Sequence, residues 1–338
     1  MNLKSLAEQL GLSPTTVSRA LNGYPEVSDS TRQRVAEAAM RLGYRPNVSA
    51  RRLATGRVGA VGVFLPAQGS VALGPHTSEF LSGLASRMAH EEIDIVVSPL
   101  ETEDEVPAYH RLVSTKRVDA VVISSPAISD QRVKVLSDLK MPFALHGRTD
   151  IGIPHAWLDI DNQGGHYAAT SHLIELGHRR IALINGPAGM TFSAHREAGY
   201  RAALAAGGIA VDTALIGNDI FTDETGFRQA ELFLATRPRP TAIIAGSMMS
   251  ALGAFRAIRS AGLELGRDVS MIAHDDVFPY LNADRMVPTM STMRSPIRDA
   301  GSRIGEMVLQ LLAGAPVEQL CEVWPVELVL RQSTCPAP

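Results

Sequence analysis

Near its start the chain carries the run Ser13-Pro14-Thr15-Thr16-Val17-Ser18-Arg19-Ala20-Leu21-Asn22. Ser13 can cap a helix through its hydroxyl, and Pro14 suits the first helical position, where its missing N–H is not needed. Helical spacing then gives the run an apolar face, formed by Val17, Ala20 and Leu21. The opposite face is polar and consists of Thr15, Ser18, Arg19 and Asn22. The run therefore predicts a short helix whose polar face is suited to an anionic surface.

The flanking sequence predicts two further helices. Asn2 can cap the first, and Gly11 can end it with the positive φ of a tight turn. Ser28 can cap the third, which Gly43 ends. Both carry apolar residues at helical spacing: Leu3, Leu6, Ala7 and Leu10 in one, and Val35, Ala38, Ala39 and Leu42 in the other. Two short helices around a glycine turn, with a third to complete the core, predict a helix-turn-helix whose second helix reads DNA. An ordinary αα-hairpin is the alternative.

A weaker helix pattern follows the third helix. Asn47 can cap a helix that runs to about Ala54, but eight residues fall below the roughly 12–15 at which an isolated helix is stable in water. We therefore expect it to form only when docked. Arg51 offers phosphate contacts, and Leu53, which has no local core to enter, could wedge between base steps in the minor groove. A plain tether is the alternative.

Charge is distributed unevenly along the 338 residues. Residues 1–56 hold eight Lys or Arg against four Asp or Glu, a net charge of +4, which leaves −7 for the remainder. A basic head on an acidic body indicates a nucleic-acid partner at one end only.

Because no apolar run reaches the roughly 18 residues of a membrane span and the charged start does not suit a signal peptide, we expect a cytoplasmic protein without membrane contact. Cys321 and Cys335 are too few for a disulfide framework and match no metal spacing.

Strand and helix patterns alternate in the rest of the chain. Val58–Leu65 is an unbroken apolar run, typical of a strand buried on both faces of a parallel sheet. Further strands are predicted at Ile93–Ser98, Ala120–Ser124, Phe143–Leu145, Ile181–Ile184, Thr241–Ala245 and Val269–Ala273. Helices are predicted at Phe80–Ala89, Ala108–Val113 and Val133–Leu139, and near 163–176, 194–206, 224–235 and 249–261. Two successive series predict two doubly wound lobes that face each other across a cleft. A last helix (297–313) and strand (Val326–Leu330) would cross back between them.

The body contains none of the patterns that would indicate an enzyme. No Gly-x-Gly-x-x-Gly motif follows a strand into a helix, and no Gly-x-Ser-x-Gly nucleophile elbow is present. His, Cys, Asp and Glu form no cluster with metal-ligand spacing. We therefore predict a non-enzymatic protein that needs neither a metal nor a cofactor.

Specific motifs cover the first 53 residues. They are Leu6-Ala7…Gly11-Leu12-Ser13…Thr16-Val17-Ser18-Arg19…Leu21-Asn22 and Gly43-Tyr44-Arg45-Pro46-Asn47…Ala50…Leu53. This combination resembles the LacI/GalR family of bacterial transcriptional repressors, and the resemblance extends nearly to the C-terminus. It implies a helix-turn-helix DNA-binding domain at residues 1–46, a hinge helix with its linker at 47–57, and an effector-binding and dimerisation domain at 58–338.

The resemblance also implies a fold for the body. It would be an α/β body like that of the type I periplasmic binding proteins, with two doubly wound parallel sheets. The lobes would comprise about 58–160 with 292–320, and 161–291 with 321–332. The chain would cross between them near Asp159–Asn162, Met290–Arg294 and Glu318–Glu322.

The family pattern assigns DNA-contacting roles by position. Base reading would fall to Pro14, Thr15 and Arg19, and Arg19 also suits this role physically, because its fork can pair with guanine O6 and N7. Phosphate contacts would fall to Ser13, Thr16, Ser18 and Asn22. The hinge would contribute Asn47, Ala50, Arg51 and the minor-groove wedge Leu53.

The same pattern assigns an effector pocket in the cleft. Its residues would be Phe80, His146, Arg148, Trp157, Arg196, Phe221, Ser247 and Asp275. Arg196 could bridge two ligand oxygens, Phe221 could stack on a sugar ring, and Asp275 could accept from two hydroxyls. A surface role for Arg196 and core packing for Phe221 and Phe80 are the alternatives.

Two departures from the family pattern affect the ligand. Many relatives have an Asn-Asp pair where this chain has Ser247-Met248, and often an acid at Gly147. Two strong hydroxyl partners are therefore missing, and His146 and Arg148 are their candidate replacements.

These observations predict a homodimeric repressor of carbohydrate-use genes that binds a near-palindromic operator. A sugar effector, with α-glucosides as one candidate class, would release it. A co-repressor reading remains open, in which a ligand such as a nucleobase strengthens DNA binding. A transport-type sugar-binding protein would have a signal peptide and no basic head, and this sequence has the reverse.

Overall fold

The computed structural model describes residues 2–21, 24–44, 57–66, 74–100, 105–274 and 278–338. The chain divides into two compact units, Met1–Val58 and Gly59–Pro338. The predicted hinge helix lies outside the described residues, and so do the predicted site residues Asn22, Asn47, Ala50, Arg51, Leu53 and Asp275. No helix within the described ranges is long and apolar enough to cross a lipid bilayer.

The first unit contains three short helices with the predicted caps. They are α1 (Leu3–Leu10), α2 (Pro14–Leu21) and α3 (Asp29–Arg41). The side chain of Asn2 accepts a hydrogen bond from the Ser5 amide at 2.9 Å, and Gly11 follows α1 with a φ of +64°. The Ser13 hydroxyl accepts from the Thr16 amide at 3.0 Å. Each cap satisfies a backbone N–H that the first turn of a helix leaves unpaired.

A small apolar core holds these helices together. Leu6 of α1, Val17 of α2 and Val35 of α3 are fully buried. The same cluster includes Ala7, Ala20, Val27, Ala38 and Ala39, with Leu42 packed against it. Burying a side chain such as Leu or Val stabilises the fold by about 1.5–3 kcal/mol. The apolar face of α2 therefore anchors this helix, and its polar face remains outside.

The second unit alternates strands and helices. Its first series comprises β1 (Ala60–Pro66), α4 (Pro75–Ala89), β2 (Asp94–Leu100), α5 (Glu105–Ser114), β3 (Ala120–Ser124), α6 (Gln131–Asp138), β4 (Phe143–His146) and β5 (Ala156–Ile160). The next series comprises α7 (Asn162–Glu175), β6 (Ile181–Asn185), α8 (Thr191–Ala206), β7 (Ile216–Asn218), α9 (Asp223–Ala235), β8 (Ala242–Ala245), α10 (Met248–Ser260), β9 (Ser270–His274) and β10 (Ser291–Arg294). The chain continues with α11 (Ile297–Leu312), β11 (Cys321–Trp324) and β12 (Glu327–Val329).

The strands form two six-stranded sheets, one in each lobe. The first has the order β11-β5-β4-β3-β1-β2, and the second has the order β12-β10-β9-β8-β6-β7. Neighbouring strands run parallel, whereas β10 and β12 are antiparallel. This confirms the predicted fold class, a helix-turn-helix head with a type I body of two doubly wound sheets. The inner strands are buried on both faces, which explains their unbroken apolar sequences.

Helices cover the sheets and form the cores of the lobes. Apolar residues of α4 and α11 pack on one face of the first sheet. In the second lobe, α9 and α10 cover one face of the sheet, and α7 and α8 cover the other. The sheets are thus held between helices, and only their strand ends are left to form a site.

Strands β10 and β11 lie in lobes other than those predicted, whereas β12 pairs with β10 in the second lobe, as predicted. We predicted that 292–320 completes the first lobe and 321–332 the second. In the structure, β10 pairs with β9 of the second sheet, and β11 pairs with β5 of the first. The first crossover falls between β5 and α7, as predicted, but the other two come later, after Arg294 and after Trp324. Each of these two strands has only four residues of mixed composition, which show no periodic pattern. Only the pairing in the folded sheet therefore assigns β10 and β11 to a lobe.

Helices α4 and α11 approach each other closely at a glycine. A Cβ atom added to Gly83 of α4 would lie 1.8 Å from the carbonyl oxygen of Arg298 in α11. This oxygen belongs to the backbone, so the two helices would have to separate. We expect Gly83→Ala to lower the free energy of unfolding by about 1–3 kcal/mol in urea denaturation.

The matched control for this variant is Ser86→Ala, at an exposed position of the same helix. It should change the free energy of unfolding by less than about 0.5 kcal/mol. An equal loss of stability in both variants would contradict the close helix–helix contact.

Candidate functional sites

Helix α2 and its cap present a polar surface in the first unit. They carry six of the predicted DNA-contacting residues: Ser13, Pro14, Thr15, Thr16, Ser18 and Arg19. Thr16 and Ser18 are half-buried, and the other four are exposed. Because Val17 and Ala20 hold the opposite face in the core, the polar face can contact a partner without any change in the three-helix unit.

The N-terminus of α2 is suited to an anion. The Ser13 and Thr16 hydroxyl oxygens lie 2.8 Å apart, so the cap is held by two contacts. The first turn of this helix contains no acidic residue. A helix N-terminus directs its amide groups and the positive end of its dipole outward, which favours a phosphate at this position.

The two lobes of the second unit meet at the carboxyl ends of their strands. The Ile128 amide, beyond β3, donates to the Gly189 carbonyl at 3.1 Å, and the Thr191 amide, beyond β6, donates to the Pro126 carbonyl at 3.1 Å. In open α/β sheets, ligands bind at this end of the strands. The cleft between the lobes is therefore the candidate ligand site.

Arg196 of α8 is a buried charged group beside this cleft and is 5% exposed. Its Nε donates to Asn162 Oδ1 at 2.8 Å, and its Nη1 donates to the Gly246 carbonyl at 2.8 Å. Its guanidinium carbon lies 4.9 Å from the ring centroid of Phe192 and 5.6 Å from that of Phe221. This burial excludes a surface role. The aromatic contacts and hydrogen bonds hold the guanidinium in one orientation.

Three histidines lie near this arginine, and a fourth, His146, stacks on one of them; each lobe supplies two of the four. His76 of α4 and His146 at the end of β4 have ring centroids 5.8 Å apart. His166 of α7 and His274 at the end of β9 have ring centroids 5.6 Å apart. Burial lowers the pKa of all four, to about 4 for His76 and about 3 for His146. The positive charge of Arg196 lowers the pKa of His76, His166 and His274 further. At pH 7 all four are neutral, so each has one donor and one acceptor nitrogen.

A charged cluster joins the lobes beside the cleft. Asp159 of β5 is 3% exposed, and its Oδ2 lies 2.9 Å from Arg148 Nε and 3.7 Å from Nδ1 of His195 in α8. Burial raises the pKa of Asp159, although the charges of Arg148 and His195 oppose this rise. Since His195 belongs to the second lobe, a change in the distance between the lobes would alter this cluster.

The other predicted effector residues have different surroundings. Phe80 is 2% exposed and belongs to the first-lobe core, where it stacks on His146 at 4.7 Å. Ser247 caps α10, and its hydroxyl accepts from the Ser250 amide at 3.0 Å. Trp157 is the second residue of β5, and its ring centroid lies 5.8 Å from the Arg148 guanidinium carbon. The structure thus favours the core alternative for Phe80.

The glycine at position 147 has a structural explanation. Its φ is +106°, and an added Cβ atom would lie 2.6 Å from Pro126 Cδ. An acidic side chain would therefore need a different path for the loop after β4. Pro126 belongs to the loop that contacts the second lobe. The presence of glycine rather than an acidic residue at position 147 therefore affects the loop through which the two lobes meet.

Sequence reasoning missed several cleft residues: His76, Asn162, His166, Phe192 and His274. Two of them had a signal, since His274 directly precedes the predicted Asp275 and Asn162 is the last residue of the predicted first crossover. The others are placed only by packing between helices. Across the part of the chain that the structure describes, no three His, Cys, Asp or Glu side chains are grouped so that they could hold a metal ion.

Comparison with known families assigns both units. Residues 2–47 match the model described as bacterial regulatory proteins, lacI family. Residues 170–334 match the periplasmic binding protein-like domain. The two matches correspond to the three-helix unit and to most of the second lobe with the C-terminal elements.

Relatives and solved structures extend the match to the whole chain. The HTH-type transcriptional regulator AglR of Rhizobium meliloti (strain 1021) is 46% identical over 342 residues, which cover 100% of this chain and 95% of AglR. The lac repressor dimer bound to operator and the anti-inducer ONPF aligns with a TM-score of 0.80 at 28% identity, over 99% of each chain. The complex of the regulator CelR with cellobiose aligns with a TM-score of 0.73 at 28% identity, over 98% of this chain and 99% of the other. These relatives are transcriptional regulators and not enzymes, and the chain belongs to the LacI family of bacterial regulatory proteins.

Proposed function

We propose that helix α2 reads operator DNA. Pro14, Thr15 and Arg19 would face the bases in the major groove. The phosphate contacts would come from Ser13, Thr16, Ser18 and Asn22, and the hinge contacts from Asn47, Ala50, Arg51 and Leu53. The exposed polar face of α2 and its anion-favouring N-terminus support this assignment.

The protein would act as a homodimer on a near-palindromic site. Two copies of α2, related by a twofold axis, would face two half-sites. The full-length alignment with a lac repressor dimer bound to operator supports this arrangement.

The interlobe cleft would bind an uncharged mono- or disaccharide, and α-glucosides are the first class to test. The observation that carries this proposal is Arg196, buried against the neighbouring rings of Phe192 and Phe221. Aromatic rings suit the apolar face of a pyranose, and a fixed guanidinium can bridge two oxygens. His146 and Arg148 from the first lobe, with Asp275, would complete the contacts. The alignment with a cellobiose complex of CelR supports a sugar.

Ligand binding would lower DNA affinity by changing how the lobes meet. The contacts that would respond are the two backbone hydrogen bonds of residues 126–128 with 189–191 and the Asp159 cluster. A ligand shifts such an equilibrium only by its difference in affinity for the two arrangements. The first lobes of the dimer would move, and the paired hinges would lose the geometry needed to bind DNA.

An operator-binding assay tests this function. The operator would first be selected from random duplexes with the full-length protein. Binding would then be measured at fixed salt with maltose, trehalose or cellobiose present. We expect a sugar that binds the cleft to weaken operator binding by about 5- to 150-fold, the usual range of allosteric coupling. Tighter operator binding with hypoxanthine or guanine, and no effect of any sugar, would instead establish the co-repressor function.

A further inference from the structure

The buried imidazole of His166 has a defined tautomer. Its Nδ1 lies 3.1 Å from the Asn162 carbonyl oxygen. A carbonyl oxygen only accepts hydrogen bonds, so Nδ1 must carry the hydrogen. Burial keeps this ring neutral by lowering its pKa well below the usual value. The other nitrogen, Nε2, therefore carries a lone pair and can only accept.

This acceptor has no partner among the described residues. The ring is 0% exposed, and its Nε2 is buried without a hydrogen bond. A buried polar atom left unpaired costs about 1–3 kcal/mol, so each such atom in a native protein requires an explanation. The partner of His166 Nε2 must bring a donor group.

The position of His166 identifies the cleft as the source of this partner. His166 lies one helical turn after Asn162, whose side chain binds Arg196. Its ring pairs with that of His274 at the end of β9. On the first-lobe side, His146 is 8% exposed and also has a buried Nε2 without a partner in the described chain. Unpaired imidazole nitrogens thus occur on both sides of the cleft among the described residues, and the ring of His146 stacks on that of His76, whose pKa the charge of Arg196 lowers.

We infer that His166 is a specificity-determining residue, which accepts a hydrogen bond from a hydroxyl of an uncharged sugar through its Nε2. The inference rests on the proposed function, because it concerns the same cleft. A hydroxyl is both donor and acceptor, and therefore matches a set of neutral imidazoles. A phosphate or carboxylate group offers only acceptors and would face the His166 lone pair. The site should therefore select neutral sugars against their charged derivatives.

Variants of the full-length protein test this role by calorimetry with maltose, cellobiose and glucose. His166→Leu removes the acceptor and should weaken sugar binding by about 10- to 100-fold, the loss expected for one buried hydrogen bond. His166→Gln restores an acceptor oxygen and should recover most of the affinity. The matched control is His172→Gln on the same helix, which should bind as the wild type does. Glucose 6-phosphate and glucuronate should bind at least 10-fold more weakly than glucose.

A second measurement applies to the unmodified protein, in case His166→Leu does not fold. With 15N-labelled histidine, the unprotonated Nε2 of His166 gives a nitrogen resonance that moves when the atom accepts a hydrogen bond. We expect this resonance, assigned with His166→Gln, to shift as maltose or cellobiose saturates the cleft. A resonance that stays in place at saturation would overturn the inference.

The outcomes separate this inference from the proposed function. If a neutral sugar releases the operator while His166→Leu binds that sugar as tightly as the wild type, the inference fails and the proposed function stands. Tighter binding of glucose 6-phosphate than of glucose would also contradict the inference and would leave the proposed function standing. If no neutral sugar changes operator binding, the proposed function fails, and the inference fails with it.

Discussion

Replacing Arg196 by alanine is expected to abolish the response of operator binding to sugar. The side chain supplies two charge-assisted hydrogen bonds, to Asn162 Oδ1 and the Gly246 carbonyl. It also lies against the rings of Phe192 and Phe221. Hydrogen bonds of charged groups contribute about 1.5–3 kcal/mol each, so the pocket loses both its ligand contact and its internal support. Operator affinity without sugar should stay unchanged, because these hydrogen bonds and ring contacts of Arg196 lie within the second lobe rather than between the lobes.

Two further variants make this experiment specific. Arg201→Ala removes the same charge from the same helix, where Arg201 pairs with Glu197 at 2.7 Å, and it should respond to sugar like the wild type. Arg196→Lys keeps the charge but loses the planar fork, and should restore only part of the response. Sugar binding is measured by calorimetry, and operator binding by titration with and without sugar. An Arg196→Ala protein that still releases the operator would place the ligand elsewhere.

Arg19→Ala should reduce affinity for the selected operator by about 1–3 kcal/mol and relax specificity at one base pair. Arg19 is exposed on α2, and the apolar side of this helix is held in the core by Val17 and Ala20. Truncation of Arg19 should therefore leave the fold of the unit unchanged. The measurement is competition binding against a set of operators that each carry one base change.

Arg41→Ala is the matched control for this readout. Arg41 is exposed in the last turn of α3, so its loss removes one positive charge without touching α2. It should weaken binding to all duplexes by the same factor. Measuring binding at several salt concentrations should show that this loss is electrostatic. An Arg19→Ala protein whose preference among the duplexes is unchanged would remove Arg19 from base reading.

The local features of the fold were predictable from short segments. The caps at Asn2, Ser13 and Ser28 were read correctly because a cap involves only the three residues that follow it. The apolar strands were found because burial on both sheet faces requires unbroken apolar runs. β7, β10 and β11 were missed, since their three or four residues of mixed composition have neither such a run nor a strict alternation.

The cleft was predictable only in part. Arg196 was assigned to the pocket by its position in the family pattern. Its 5% exposure excludes the surface alternative, and its contact with a ligand stays a prediction. Phe80 was selected because the family often has an aromatic residue near this position, but it lies in the core beneath His146. No local pattern distinguishes an aromatic residue that faces a cleft from one that faces the core one turn away on a helix.

The sequence by itself determined the order of helices and strands, the polar face of α2 and the family of the protein. These depend on residues a few positions apart and on short motifs. Only the tertiary structure decided that β11 completes the first sheet, that Gly147 lies against Pro126, and that Nε2 of His166 has no partner among the described residues. The pairing of β11 with β5 joins residues more than 150 positions apart. Similarly, the His166 ring is buried against His274, more than 100 residues away. Contacts at such separations arise from packing, which no local pattern of side chains specifies.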